Sequence, residues 1–163
     1  MIVVGGTGPK AYPSLIKQLR ALEQPPDVFL VCPSGEGGYY DATCVGGNRS
    51  LDVTQLDAKV KKTLSFHKAD PTFGNAWDET TINTVYALCD ELKADLDAGK
   101  VLLITCVGGN NRSRMFAHAI DATQKPPDCL TMRKVCEAYR MAPEDRPNLA
   151  PLQPPARETR ARA

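Results

Sequence analysis

The spacing of apolar positions changes several times along the chain, and each change marks an element. Residues 1–4, MIVV, form a short apolar run that stops at Gly5-Gly6, which predicts a strand followed by a turn. Leu15, Ile16, Leu19 and Leu22 then fall on one face of a helix, which Pro25-Pro26 ends. VFLVC at 28–32 is apolar throughout, as a buried strand is. Glycine and polar residues predominate from Pro33 to Asn48, which predicts a loop. The stretch Val53 to Leu64 reads as a helix with Leu56 and Val60 inward. ADPTFGNAWDET at 69–80 has turn chemistry and carries the lone tryptophan, Trp77.

The longest periodic segment follows. Ile82, Val85, Leu88, Cys89, Leu92 and Leu96 recur at helical spacing, and Gly99 supplies the stop. VLLIT at 101–105 is a continuous apolar strand of the kind found in the middle of a parallel sheet. RSRMFAHAIDA (112–122) predicts a helix, and a last one fits 130–141. From Pro143 onward proline and arginine replace the core pattern, so that end is expected to be mostly a disordered tail, with the domain spanning 1–150 and the tail 151–163. Strands alternating with helices predict an α/β fold with a central, mostly parallel sheet flanked by helices.

Composition narrows the picture. At 163 residues there is room for one domain with a sizeable core. Twenty Lys and Arg against 19 Asp and Glu leave a net charge of +1, which gives no global attraction to nucleic acid or to an anionic membrane. Any basic site must be local. No apolar run approaches a membrane span, and MIVVGGTGPK lacks the features of a signal peptide. The six cysteines are dispersed, three of them inside apolar stretches, and there is no CxxC pair to build a zinc site. A reduced, cytoplasmic protein without metal is expected.

The chemistry gathers after VLLIT. Residues 105–113 read TCVGGNNRS, so that Cys106 and Arg112 are separated by five residues. Gly108 and Gly109 permit positive φ and close backbone approach, so the loop Val107–Asn111 can curl with its N–H groups converging. The helix starting near Arg112 adds its positive end. Such a cradle suits a phosphate dianion, and the same field would stabilise a thiolate at Cys106. Arg112 can bond two phosphoryl oxygens bidentately, which lysine cannot. Ser113 can donate a hydrogen bond to the sulfur and improve it as a leaving group.

Strand-C-x5-R-S-helix resembles the signature of the cysteine-dependent protein tyrosine phosphatases, and the order of elements is most similar to the dual-specificity group. The N-terminal IVVGG, the strand VFLVC, the approach AGKVLLITC and the late RPNLAPL (146–152) extend the resemblance over roughly residues 1–150, although only the loop is specific. The resemblance implies a phosphomonoester hydrolase with Cys106 as the nucleophile of a phosphocysteine intermediate. Arg112 and the amides of Val107, Gly108, Gly109, Asn110 and Asn111 would hold the phosphate, without metal or cofactor. It also implies an aspartate as general acid on an earlier loop. Asp78, beside Trp77 and a helix start, fits that place better than Asp70. Implied substrates are phosphorylated proteins or small phosphomonoesters; related enzymes also act on phosphorylated RNA ends, phosphoinositides and phosphosugars.

This chain departs from the pattern at two places. Thr105 stands where the family usually has histidine, which implies weaker activity, and Arg114 replaces a small residue and could add a basic contact at the rim. The wording GGNNRS is also similar to the low-molecular-weight phosphatases, but their signature opens the chain. Each residue has a plainer role too: Cys106 as a buried structural cysteine, Asp78 as a helix N-cap, Ser113 as a polar residue of a first helical turn. Loss of catalysis would leave a second reading, a module that binds phosphorylated partners. A third, a nucleotide-binding turn at MIVVGGTGP, lacks the full dinucleotide spacing and has proline where a helix should begin.

An echo of the motif, TCVGGNRS, occurs at 43–50 with four residues between Cys44 and Arg49. No buried strand precedes it and its flanks do not match, so a non-catalytic surface loop is expected there. A minor hypothesis is an oxidative disulfide between Cys44 and Cys106.

Overall fold

The computed structural model describes residues 1–6, 10–32, 44–45, 51–52, 62–65, 77–106 and 108–152. Within them the chain runs β1 (Ile2–Gly6), α1 (Tyr12–Arg20), β2 (Val28–Val31), β3 (Cys44–Val45), β4 (Leu51–Asp52), β5 (Lys62–Ser65), α2 (Glu79–Asp97), β6 (Leu102–Cys106), α3 (Arg112–Ile120) and α4 (Leu130–Arg140). Strands β1, β6, β2 and β5 lie side by side in that order, all parallel. Helices pack on both faces. This is the α/β arrangement that the alternation of strands and helices predicts.

The central strand is β6. It pairs Gly6 with Cys106 on one side and Val31 with Thr105 on the other. All five of its residues are buried. A strand with neighbours on both edges and helices on both faces has no solvent side, which is why LLITC shows no polar alternation. Its side chains still alternate between the two layers. Leu103 joins Val3, Leu15 and Phe29 beneath α1. Leu102, Ile104 and Cys106 join the larger core, with Val85, Cys89, Met115, Phe116 and Met132 from the three later helices.

The long helix forms where its spacing predicts. Ile82, Val85, Cys89 and Leu92 face the core. The Asp78 carboxylate caps the start by accepting the Thr81 N–H at 2.7 Å. At the other end Gly99 takes φ of +81°, the left-handed conformation that closes many helices. Among the described residues no helix is long and apolar enough to cross a membrane.

Four expectations need correction. Gly5 and Gly6 do not turn the chain but complete β1, because their lack of a side chain serves packing: a Cβ on Gly5 would stand 2.7 Å from Leu15 Cδ1 of α1. The end of the expected helix over 53–64 is instead β5, paired with β2 from Val28↔Lys62 to Val31↔Ser65; residues 53–61 lie outside the described residues. An open strand edge decides that segment, and local spacing does not carry such tertiary pairing. Within the expected loop 33–48, Cys44–Val45, the second and third residues of the echo motif, pairs antiparallel with Leu51–Asp52 just after it. Finally, the chain beyond Pro143 is structured as far as Leu152: a 3-10 turn at Pro143–Asp145 leads to a backbone bridge between Leu152 and Trp77. Residues 153–163 lie outside the described residues.

Candidate active site

Strand β6 delivers Cys106 to the carboxyl end of the sheet, and α3 begins at Arg112. The turn between them rests on Gly109. Gly109 takes φ of +74° and lies against the end of β1; a Cβ there would stand 2.7 Å from Gly6 N and 2.8 Å from Gly5 C. Backbone atoms at that distance have no room to yield. A left-handed residue pressed on a neighbouring strand must therefore be glycine.

The curl brings two predicted residues onto the sulfur of a third, Cys106. Gly109 N–H donates to Cys106 Sγ at 3.2 Å. The Ser113 hydroxyl lies 3.1 Å from the same sulfur and is fully buried. Cys106 is only 5% exposed, so water does not compete freely for these contacts. The first turn of α3 points its N-terminal end at the group, an arrangement that favours negative charge.

Arg112 is buried as well, at 3% exposure. A buried guanidinium needs hydrogen-bond acceptors, and Nη1 donates to the Cys32 carbonyl at 2.8 Å. Cys32 follows β2 directly, and its own N–H donates to the Thr105 carbonyl. One edge of the guanidinium plane is thereby tied to the ends of β2 and of β6, the strand that carries Cys106. Sequence reasoning missed Cys32, since its contribution is a main-chain carbonyl placed by strand order, which no motif encodes.

The asparagines fasten the loop from behind. Asn111 Oδ1 accepts the Cys129 N–H at 2.7 Å, and the Asn110 carbonyl accepts the Asp128 N–H. Both bonds tie the loop to the segment leading into α4. Gly108 is exposed, and a Cβ there would meet only the Asn110 side chain, at 3.4 Å. Arg114 is half-buried, and its Nε lacks a hydrogen-bond partner among the described residues. Val107 and Asp70 lie outside the described residues. Asp78 stands at the N-cap of α2, so the capping role is realised.

Thr105 is fully buried, and its hydroxyl has no partner among the described residues. Such a group costs about 1–3 kcal/mol. Among the described residues no group of three His, Cys, Asp or Glu side chains is placed to hold a metal ion.

No family model and no curated protein matches the chain. Among solved structures it resembles one described as a crystal structure of Tk-PTP in the active form, with 16% identity and a TM-score of 0.42. That similarity covers 88% of this chain and 76% of the other. It is a loose likeness of chain path, and the chemistry of the site stands on its own atoms.

Proposed function

We propose that the chain is a cysteine-dependent phosphomonoester hydrolase of the protein tyrosine phosphatase kind, dual-specificity-like, acting through Cys106. One observation carries the reading: a nearly buried cysteine sulfur at a strand end accepts a loop amide and lies beside a serine hydroxyl, both within 3.2 Å, at the start of a helix. A structural cysteine needs no amide donor: buried Cys129, also at a helix start, has only a hydroxyl beside its sulfur among the described residues. A nucleophile that must bear negative charge, and later leave as an anion, does.

In the proposed reaction the sulfur attacks phosphorus and the ester P–O bond breaks. Asp78 gives a proton to the departing oxygen. Its Oδ1 accepts the helix-capping bond, so the proton would be carried on Oδ2. The loop amides and Arg112 hold the phosphoryl oxygens as charge spreads over them. Water then attacks the phosphocysteine, Asp78 takes up its proton, and the S–P bond breaks to release phosphate. The Ser113 hydroxyl stabilises the sulfur anion in that second step.

Turnover of aryl phosphates in the presence of a chelator tests the proposal. Cys106→Ser is expected to fall to background, and vanadate to inhibit the parent. Asp78→Asn is expected to lose at least about 100-fold on an ester with a poor leaving group, which depends most on the acid. Full activity in Cys106→Ser would reject the mechanism; full activity in Asp78→Asn would move the acid role to Asp70.

A second reading, a binding module for phosphorylated partners, draws on two observations. The Asp78 carboxylate is engaged in capping, and the buried Thr105 hydroxyl makes no hydrogen bond among the described residues. Tight phosphopeptide binding with negligible hydrolysis would favour it.

A further inference from the structure

A cavity of about 410 Å³ lies between the first two turns of α2 and the segment Pro143–Ala150. Its size is that of pockets that hold small ligands or peptide side chains. The proposed chemistry does not use it. Its position follows from the topology. A short turn at 98–101 joins α2 to β6, so the helix must run back along the strand, and its Asp78 end lies at the Cys106 end of the sheet. The C-terminal segment climbs the same way, from Arg146 beside Tyr86 to Leu152 paired with Trp77. The cavity therefore extends from the catalytic end of α2 downwards. The eight residues from Glu79 to Tyr86 span about 10 Å of helix.

The two ends of the cavity carry opposite charges. At the upper end Glu79 is exposed and makes no ion pair among the described residues. At the lower end Arg146 is held rigidly. Its Nε donates to the Ala138 carbonyl and its Nη2 to the Tyr139 carbonyl, and its plane lies 4.6 Å from the Tyr86 ring centroid. Nη1 makes no hydrogen bond among the described residues and can meet an anion, and a guanidinium already fixed loses little freedom in doing so. Between the charges, Asn148 spends its Oδ1 on the Ala150 N–H, and its amide protons have no acceptor among the described residues.

We infer that this cavity receives the residues flanking the phosphorylated residue of an extended peptide, with a basic side chain at Glu79 and an acidic one at Arg146. An extended chain covers about 10 Å in three residues, so the two charges sit about three residues apart, the basic one nearer the phosphate. The inference rests on the phosphatase reading and makes a segment of phosphorylated protein the substrate.

The test compares two sets of phosphotyrosine peptides, extended on either side of the phosphorylated residue. One set carries lysine near the phosphate and glutamate three residues further out; the other exchanges them. Catalytic efficiency should favour the first set, on at least one side, by about fivefold, as expected for two exposed ion pairs. Glu79→Lys should abolish or invert the preference while leaving turnover of a small aryl phosphate unchanged. Equal efficiency on both sets, with aryl phosphate still hydrolysed, overturns the docking inference alone. No hydrolysis of any ester, aryl phosphate included, overturns the phosphatase reading and the inference together.

Discussion

Among single residues, Gly109 is the one on which the site depends most plainly. Its φ is positive and its missing Cβ would strike the backbone of Gly5 and Gly6. Gly109→Ala should therefore cost about 2–4 kcal/mol, from left-handed strain together with overpacking against atoms that have no room to move. Urea unfolding would show the loss, and vanadate affinity should fall with it, because the same backbone turn aims the amide at Cys106. A variant as stable as the parent would mean that the loop does not need this close approach. Gly99 makes a useful contrast: its φ is also positive, but nothing lies within 4 Å of where its Cβ would be, so only the strain contributes. The residues of the loop were legible in the sequence because cysteine, glycine, arginine and serine at that spacing have few other joint uses. Cys32 was not, because a carbonyl acceptor leaves no trace in residue identity.

Among elements, the bridge between Trp77 and Leu152 makes the C-terminal segment part of the domain. Two backbone hydrogen bonds of 3.1 and 3.0 Å join them, and both residues are buried. Leu152→Ala should destabilise the protein by about 2–4 kcal/mol, measured by thermal or urea unfolding. A cost below about 0.5 kcal/mol, as for a surface substitution, would contradict the packing described. The segment's proline content had pointed to a tail. What holds it lies outside the segment: the Tyr86 and Tyr139 rings under Arg146, and the edge of Trp77. The same reason explains β5. Long helices reveal themselves through many periodic positions and the central strand through its unbroken apolar run, whereas β5 and the Trp77–Leu152 bridge exist only because a partner edge is waiting. Gly5-Gly6 misled for a related reason, since glycine marks close approach as well as turns.

At the scale of the molecule, the core between the sheet and the later helices contains thiols and phenols that burial keeps neutral. The Cys136 thiol is pushed up to about 12 from 9.0, chiefly by burial. Burial also raises Cys89 well above its ordinary value, and raises Tyr139, whose hydroxyl donates to Asp90. Each group is more easily ionised in the unfolded chain than in the folded one. Their stabilisation is therefore complete below about pH 9 and declines as pH rises toward the folded values, by on the order of 1 kcal/mol per pH unit for Cys136 alone. Urea midpoints at about pH 8 and about pH 11 should differ accordingly, with the alkaline one lower; equal midpoints would show that these groups are not sequestered. The parallel sheet that excludes water from this core also places Cys106 at its carboxyl edge, so stability and chemistry share one strand. The chemistry can be caught directly by mixing the protein with excess aryl phosphate, quenching it in acid within the first turnovers and mapping its peptides by mass. One phosphoryl group on Cys106 is the predicted result, accumulating further in Ser113→Ala, where the sulfur leaves more slowly. Aryl phosphate hydrolysed with no phosphoryl group on that cysteine, or with the label on another residue, would contradict the mechanism.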